Sequence, residues 1–144
     1  MKLKKLTTLA ALVLALSLLM LSFASCGSRK KTEELWRDAT YTEAKSFGEG
    51  AKTVSVTVKC YEYSVVLTLK TDREMLGDAL LDHGLIEGTP GAYGLYIDRV
   101  NGILTDYNAD QSYWSLEQNG TVLMTGVDYT PIADGEAYEL VYTR

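Results

Sequence analysis

The chain has 144 residues, with 19 acidic side chains against 14 basic ones and a net charge of −5. An acidic body lacks the clustered Lys and Arg that phosphate backbones demand, so nucleic acid is not an expected partner. Once the first segment is set aside, the remainder is about the size of one small domain.

That first segment reads as an export signal. Lys2, Lys4 and Lys5 precede an apolar run from Leu6 to Phe23, and the small residues Ala24 and Ser25 precede Cys26. A basic start, an apolar stretch and small residues before a cut are the marks of a secretory signal. The bounding cysteine resembles the bacterial lipobox, in which cleavage leaves the cysteine to carry a lipid; Phe23 stands where Leu is usual. An uncleaved anchor and a plain secretory signal are the alternatives, since the run is about long enough to span a bilayer. The small residues before Cys26 favour cleavage. The expectation is a signal peptide over 1–25, a lipid on Cys26 and a location at the outer face of the bacterial membrane. Removal of 1–25 leaves 119 residues with 19 acidic and 11 basic side chains, so the charge falls to −8. Such a body is repelled by anionic membrane, which leaves the lipid as the attachment.

Cys60 is then the one remaining thiol, and no internal disulfide is expected. It sits in a strand-like run and reads as a small buried hydrophobe. His83, the only histidine, would have to activate it as a nucleophile, and that pairing is not expected.

Residues 26–51 are polar and irregular and read as a lipidated N-terminus and flexible tether, with a short helical turn around Leu35 and Trp36. The globular domain is expected over 52–144. Val54, Val56 and Val58 alternate with polar residues in the period of a half-buried strand, and SVVLTLK over 64–70 is a second. A helix is expected over 73–83, with Thr71 and Glu74 as a capping box and Asp72 as a competing N-cap. Met75, Leu76, Ala79 and Leu80 would face the sheet, Gly84 would be the C′ glycine, and His83 would meet the last carbonyls. Strands follow over 94–102, ending in Asn101-Gly102, and over 113–118. Asn119-Gly120, a type I′ turn signal, leads into Thr121–Met124. A loop with Pro131 and Asp134-Gly135 precedes the last strand, Ala137–Tyr142. The order suggests an α+β, β-grasp-like fold, one helix on a mixed sheet of about five strands.

The C-terminal stretch resembles a known family. Tyr113-Trp114, Asn119-Gly120, Gly126-Val127, Pro131-Ile132, Asp134-Gly135 and Val141-Tyr142 follow one another as in the bacterial DUF4430 domains. Those are related to the C-terminal domain of the B12 carriers transcobalamin and intrinsic factor. The helix with Leu76 and Leu80, and Tyr93-Gly94 through Val100-Asn101-Gly102, extend the resemblance over about 52–144. It implies a β-grasp-like fold and, by analogy, contact with one face of a corrinoid such as cobalamin. The helical domain that holds the other face in the animal carriers has no room in 119 residues, and fold does not fix function.

Two sets of residues are candidates for a site. Tyrosine buries an apolar ring while its hydroxyl stays wet, which suits a surface that stacks on a flat ligand. Strand alternation puts Trp114 in the core and leaves Tyr113 exposed with Tyr93 and Tyr107 from nearby loops; sheet tyrosines that merely fill the core are the bland alternative. The second set is Asp106, Asn108, Asp110 and Glu117, spaced like positions 1, 3, 5 and 12 of a calcium loop. Gln111 stands where glycine is needed and Glu117 lies in a strand, so an ordinary Asp/Asn turn competes with Ca²⁺ binding. The glycine-rich GTPGAYG enters a strand, not a helix, and no carboxylate pair is placed for acid–base work. The expectation is a monomeric, non-enzymatic domain that binds a small molecule, with calcium binding and protein interaction as alternatives.

Overall fold

The computed structural model describes the backbone from residue 24 and side chains from residue 31. Residues 1–23 of the expected signal peptide 1–25, and the side chain of Cys26, lie outside the described residues. A helix, α1 (Ala24–Arg37), replaces the short turn expected at Leu35 and Trp36. The chain divides into two units, Met1–Glu34 and Leu35–Arg144, and the second holds every strand of the described residues. Among the described residues no helix is long and apolar enough to cross a membrane.

The second unit is mostly β, with a curled six-stranded mixed sheet and a second sheet of three strands. The large sheet holds β1 (Lys45–Phe47), β2 (Lys52–Cys60), β3 (Tyr63–Thr71), β7 (Tyr113–Gln118), β8 (Thr121–Val122) and β9 (Ala137–Thr143). Their order is β1-β3-β2-β9-β7-β8. The small sheet is β4 (Ile86–Gly91), β5 (Gly94–Val100) and β6 (Ile103–Leu104). The connections carry the helices α2 (Leu76–Leu81) and α3 (Tyr107–Asp110) and a 3₁₀ turn, Val127–Tyr129.

Alternation builds the sheet. Val54, Val56 and Val58 on β2, and Val65, Leu67 and Leu69 on β3, are buried on one face. The strands pair antiparallel, with Val54 opposite Leu69 and Val58 opposite Val65. β-Branched side chains suit this pleated, half-buried setting. Strand β9 lies parallel to β2, adding Tyr138 and Leu140 to the same core. Each fully buried Leu or Val contributes about 1.5–3 kcal/mol over leaving it in water.

The structure corrects several expectations. Among the described residues nine strands in two sheets replace the five expected. Strand β4 carries no alternation signal, because Gly88 and Pro90 interrupt its pattern and its register shifts between Glu87 and Gly88. Of the expected strand over 121–124, Thr121–Val122 is in strand, and Leu123 N still donates to Leu116 O across the hairpin at 2.9 Å. The stretch read as tether is folded from Leu35 onward: Lys45–Phe47 pairs in parallel with Leu67–Leu69. Asn101, buried at the β5–β6 turn, fastens it further, accepting from Tyr41 N at 2.9 Å and donating to Tyr41 O at 2.8 Å.

The helix is shorter than expected because its first turn is held extended. Met75 bridges to Pro131, Ile132 N donates to Glu74 O, and Leu76 N donates to Thr130 O. The capping box does not form, because Thr71 Oγ1 accepts from Arg73 N and Asp72 accepts from Ala51 N. Gly77 lets α2 approach the 3₁₀ turn; a Cβ there would stand 3.0 Å from Asp128 N. The C-terminal end matches expectation. Leu85 N donates to Leu80 O, Gly84 N donates to Leu81 O, and Gly84 takes φ +62°, a Schellman closure. His83 turns instead to Phe47, with ring centroids 5.6 Å apart.

Candidate functional site

Three turns shape the strands around the site. Asn101-Gly102 and Asn119-Gly120 both take positive φ at each residue, closing the β5–β6 and β7–β8 hairpins as type I′ signals require. The third is the segment after β6. Asp106 caps α3, its Oδ1 accepting from Asn108 N and Ala109 N at 3.0 Å each, and Gln111 closes it in the left-handed region.

Trp114 ties the two sheets together. Its Nε1 donates to Ile103 O at 3.3 Å and its ring meets Tyr142 edge-on, centroids 5.6 Å apart. Where the sheets diverge beside it, an open cleft of about 1080 Å³ remains. Strand β5 contributes Leu95, Tyr96 and Asp98 to its wall, and the turn before β5 adds Tyr93. Asp106, Tyr107 and Asn108 come from the α3 segment. The β7–β8 hairpin adds Tyr113, Ser115 and Val122, and Met124 lies just beyond.

The three tyrosines expected as ligand contacts all reach this cleft. Tyr93, Tyr107 and Tyr113 are 94 %, 56 % and 39 % exposed, whereas Trp114 is 7 % exposed and belongs to the core as expected. Tyr107 and Tyr113 pack edge-on, centroids 6.4 Å apart, forming a corner. Tyr96, 49 % exposed, is a fourth ring that sequence reasoning missed. Its signal was alternation within β5, which sets Tyr96 apart from buried Ile97. Its phenol is held above the ordinary tyrosine range by burial first, then by the charge of Asp98 and the neighbouring Tyr107 and Asp106. Ser115, between Trp114 and Leu116 on β7, is buried as well.

The residues of the calcium reading serve their own turn and strand in this structure. Asp106 Oδ1 caps its own helix, and Asp110 Oδ1 accepts from Ser112 N at 3.1 Å. Glu117 lies on β7 opposite Glu139 and Val122. Among the described residues no three His, Cys, Asp or Glu side chains group to hold a metal. The short polar side chains satisfy backbone amides of their own turn, the usual use of Asp in such positions.

Cys60 is buried and its thiol is pushed up to about 11 by desolvation, then by Glu62. Cys60 pairs with Tyr63 at one end of the β2–β3 hairpin, whereas Phe47, which His83 touches, pairs with Leu69 toward the other. Six residues of strand put about 20 Å between those ends, so no nucleophilic pair forms.

A second hollow, smaller at about 360 Å³, lies at Gly48, Lys70, Arg73, Asp82 and His83. Its Arg73 and Asp82 pair with each other at 2.7 Å.

A family model, Domain of unknown function (DUF4430), matches residues 74–143. A crystal structure from Ruminococcus gnavus ATCC 29149, solved at 1.30 Å, is 33 % identical with a TM-score of 0.62, and the match covers 65 % of this chain and 98 % of that one. The chain belongs to the DUF4430 family. That R. gnavus relative is described as a candidate metal binding protein. Haptocorrin in complex with Cbi is 22 % identical with a TM-score of 0.50; the match covers 68 % of this chain and 26 % of haptocorrin. The likeness to haptocorrin is one of fold, and this chain spans about a quarter of the carrier's length. No match is found among curated proteins.

Proposed function

We propose that this DUF4430 chain is a non-enzymatic, lipid-anchored extracytoplasmic binding domain that holds a flat ligand, most specifically a corrinoid. The observation that carries the reading is the cleft of about 1080 Å³ walled by Tyr93, Tyr96, Tyr107 and Tyr113. A binding site is typically concave, mostly apolar and furnished with a few polar groups. Exposed rings at its edge offer stacking area at low cost in side-chain entropy. The cleft is open, so it suits one face of a large ring, with the other face left to solvent or a second protein. The fold shared with haptocorrin, which was solved with Cbi, supports corrinoid as the ligand.

Concavity favours this reading over a flat protein-docking face, although Met124 and Val122 leave apolar surface at the edge. The description of the R. gnavus relative favours a metal; here Asp106 and Asp110 each commit one oxygen to backbone amides and Glu117 stands apart on β7, so the ring-walled cleft is the stronger feature. The layout, with a short helix over a curled sheet, is read as an elaborated β-grasp. Anchoring is assigned to Cys26; Cys26→Ser should leave the chain in the soluble fraction and abolish incorporation of labelled fatty acid.

The binding test is a titration of the purified domain with cobalamin and cobinamide. The proposal expects a saturable spectral or calorimetric change. No change at high micromolar ligand would overturn it.

A further inference from the structure

The walls of the cleft are one-sided in charge. Among the described residues Asp98 and Asp106 line it, and no lysine, arginine or histidine does. Two carboxylates on a bare surface attract little, but these stand inside a ring-walled hollow. Tyr107 and Tyr113 meet edge-on and so offer faces in different directions, and Tyr96 lies near both Tyr107 and the two carboxylates. The Asp98 carboxylate makes no ion pair among the described residues, and Asp106 spends one oxygen on its cap. The face of an aromatic ring attracts cations through its quadrupole, and a cage of such rings is the usual receptor for an organic ammonium. Low-dielectric walls lined by one sign of charge focus the field on the space between them.

We propose that the cleft selects by charge: it takes a ring-shaped ligand whose positive group sits over Tyr96, Tyr107 and Tyr113 against Asp98 and Asp106, and it rejects organic anions. This rests on the reading of the cleft as the binding site and adds the ligand's charge class. Carboxylate-bearing or phosphate-bearing rings meet two like charges and no compensating cation. A cationic ring replaces the water around both carboxylates with its own charge while its flat body covers Tyr93 and Met124.

The test uses three probes on one tricyclic frame: proflavine as the cation, acridine as the neutral ring at pH 8, and acridine-9-carboxylate as the anion. Fluorescence titration of the domain should rank them cation, neutral, anion, with proflavine about tenfold tighter than acridine. Asp98→Asn should remove most of that preference, cutting the proflavine-to-acridine affinity ratio severalfold, while the melting temperature stays put. Raising the salt should weaken proflavine alone. Equal affinity for all three probes, or a preference that survives Asp98→Asn in a folded variant, overturns the charge selection. If the probes bind equally and cobinamide still saturates the cleft, the charge assignment fails alone; if neither the probes nor cobinamide bind, the cleft reading fails with it.

Discussion

Aromatic residues meet two fates in this domain. On the side of β2 and β9, Trp114, Tyr138 and Tyr142 are sealed, at 7 %, 2 % and 6 % exposure. Two of them are fastened by their polar atoms: Trp114 Nε1 donates to Ile103 O, and Tyr138 Oη donates to Glu136 Oε2 at 2.6 Å. At the cleft, Tyr93, Tyr96, Tyr107 and Tyr113 are half-buried to fully exposed, and no hydrogen bond ties their hydroxyls to the rest of the described fold. Rings that are buried and bonded hold the sheets together. Rings left wet at a concave edge contribute little to stability and are available to a ligand. The difference separates what folds the chain from what it does.

Trp114→Ala should break the first set most visibly, destabilising by about 3–5 kcal/mol through lost burial and the cavity left between the sheets. Chemical denaturation read by fluorescence checks it. Asn101→Ala comes next, costing about 2–3 kcal/mol, because Tyr41 loses both backbone partners and Asn101 leaves a left-handed conformation that alanine adopts poorly. That variant should also loosen residues 38–47, seen as faster amide exchange there. The paired change Tyr107→Ala with Tyr113→Ala should shift stability by less than about 1 kcal/mol, since both rings are exposed, yet weaken cobinamide about tenfold or more. A large loss of stability from that pair would erase the distinction between the two sets.

Two smaller effects sharpen it. Glu136 is held below the ordinary carboxylate range, first by the Tyr138 hydroxyl and then by Ala133 N. A carboxylate depressed in the folded state lends stability above its unfolded pKa, and that stability is lost as pH falls through the folded one. Glu136→Gln should therefore lower the melting temperature slightly near neutral pH and flatten its decline below pH 4.5, the group's ordinary value. Calcium at millimolar concentration should leave the melting temperature unmoved, because the acidic side chains of the 106–110 turn already serve backbone amides. A clear rise that Asp106→Ala abolishes would favour the metal reading.

Much of this was legible in the residues. The alternation of Val54, Val56 and Val58 marked a core strand, both Asn-Gly pairs marked tight turns, and the parity of β7 set Trp114 inward and Tyr113 outward. What escaped was non-local. Nothing near Tyr41 announces that Asn101 will hold it, sixty positions away. The short helix reflects Pro131 bridging to Met75, a contact no local pattern encodes. The calcium spacing is ambiguous because oxygens at alternating positions serve a helix cap equally well. Tyr96 was overlooked because its partners in the cleft arrive from α3 and the β7–β8 hairpin, which no pattern within β5 announces.

The most direct test of the cleft is to map where cobinamide touches the domain, following backbone amide and tyrosine ring shifts by NMR through a titration. The account predicts saturable shifts confined to Tyr93, Tyr96, Tyr107, Tyr113 and their neighbours on β5 and β7. Saturable binding whose shifts fall instead on the Ser55–Thr57–Thr68 face of the large sheet, with those four rings unmoved, would contradict it.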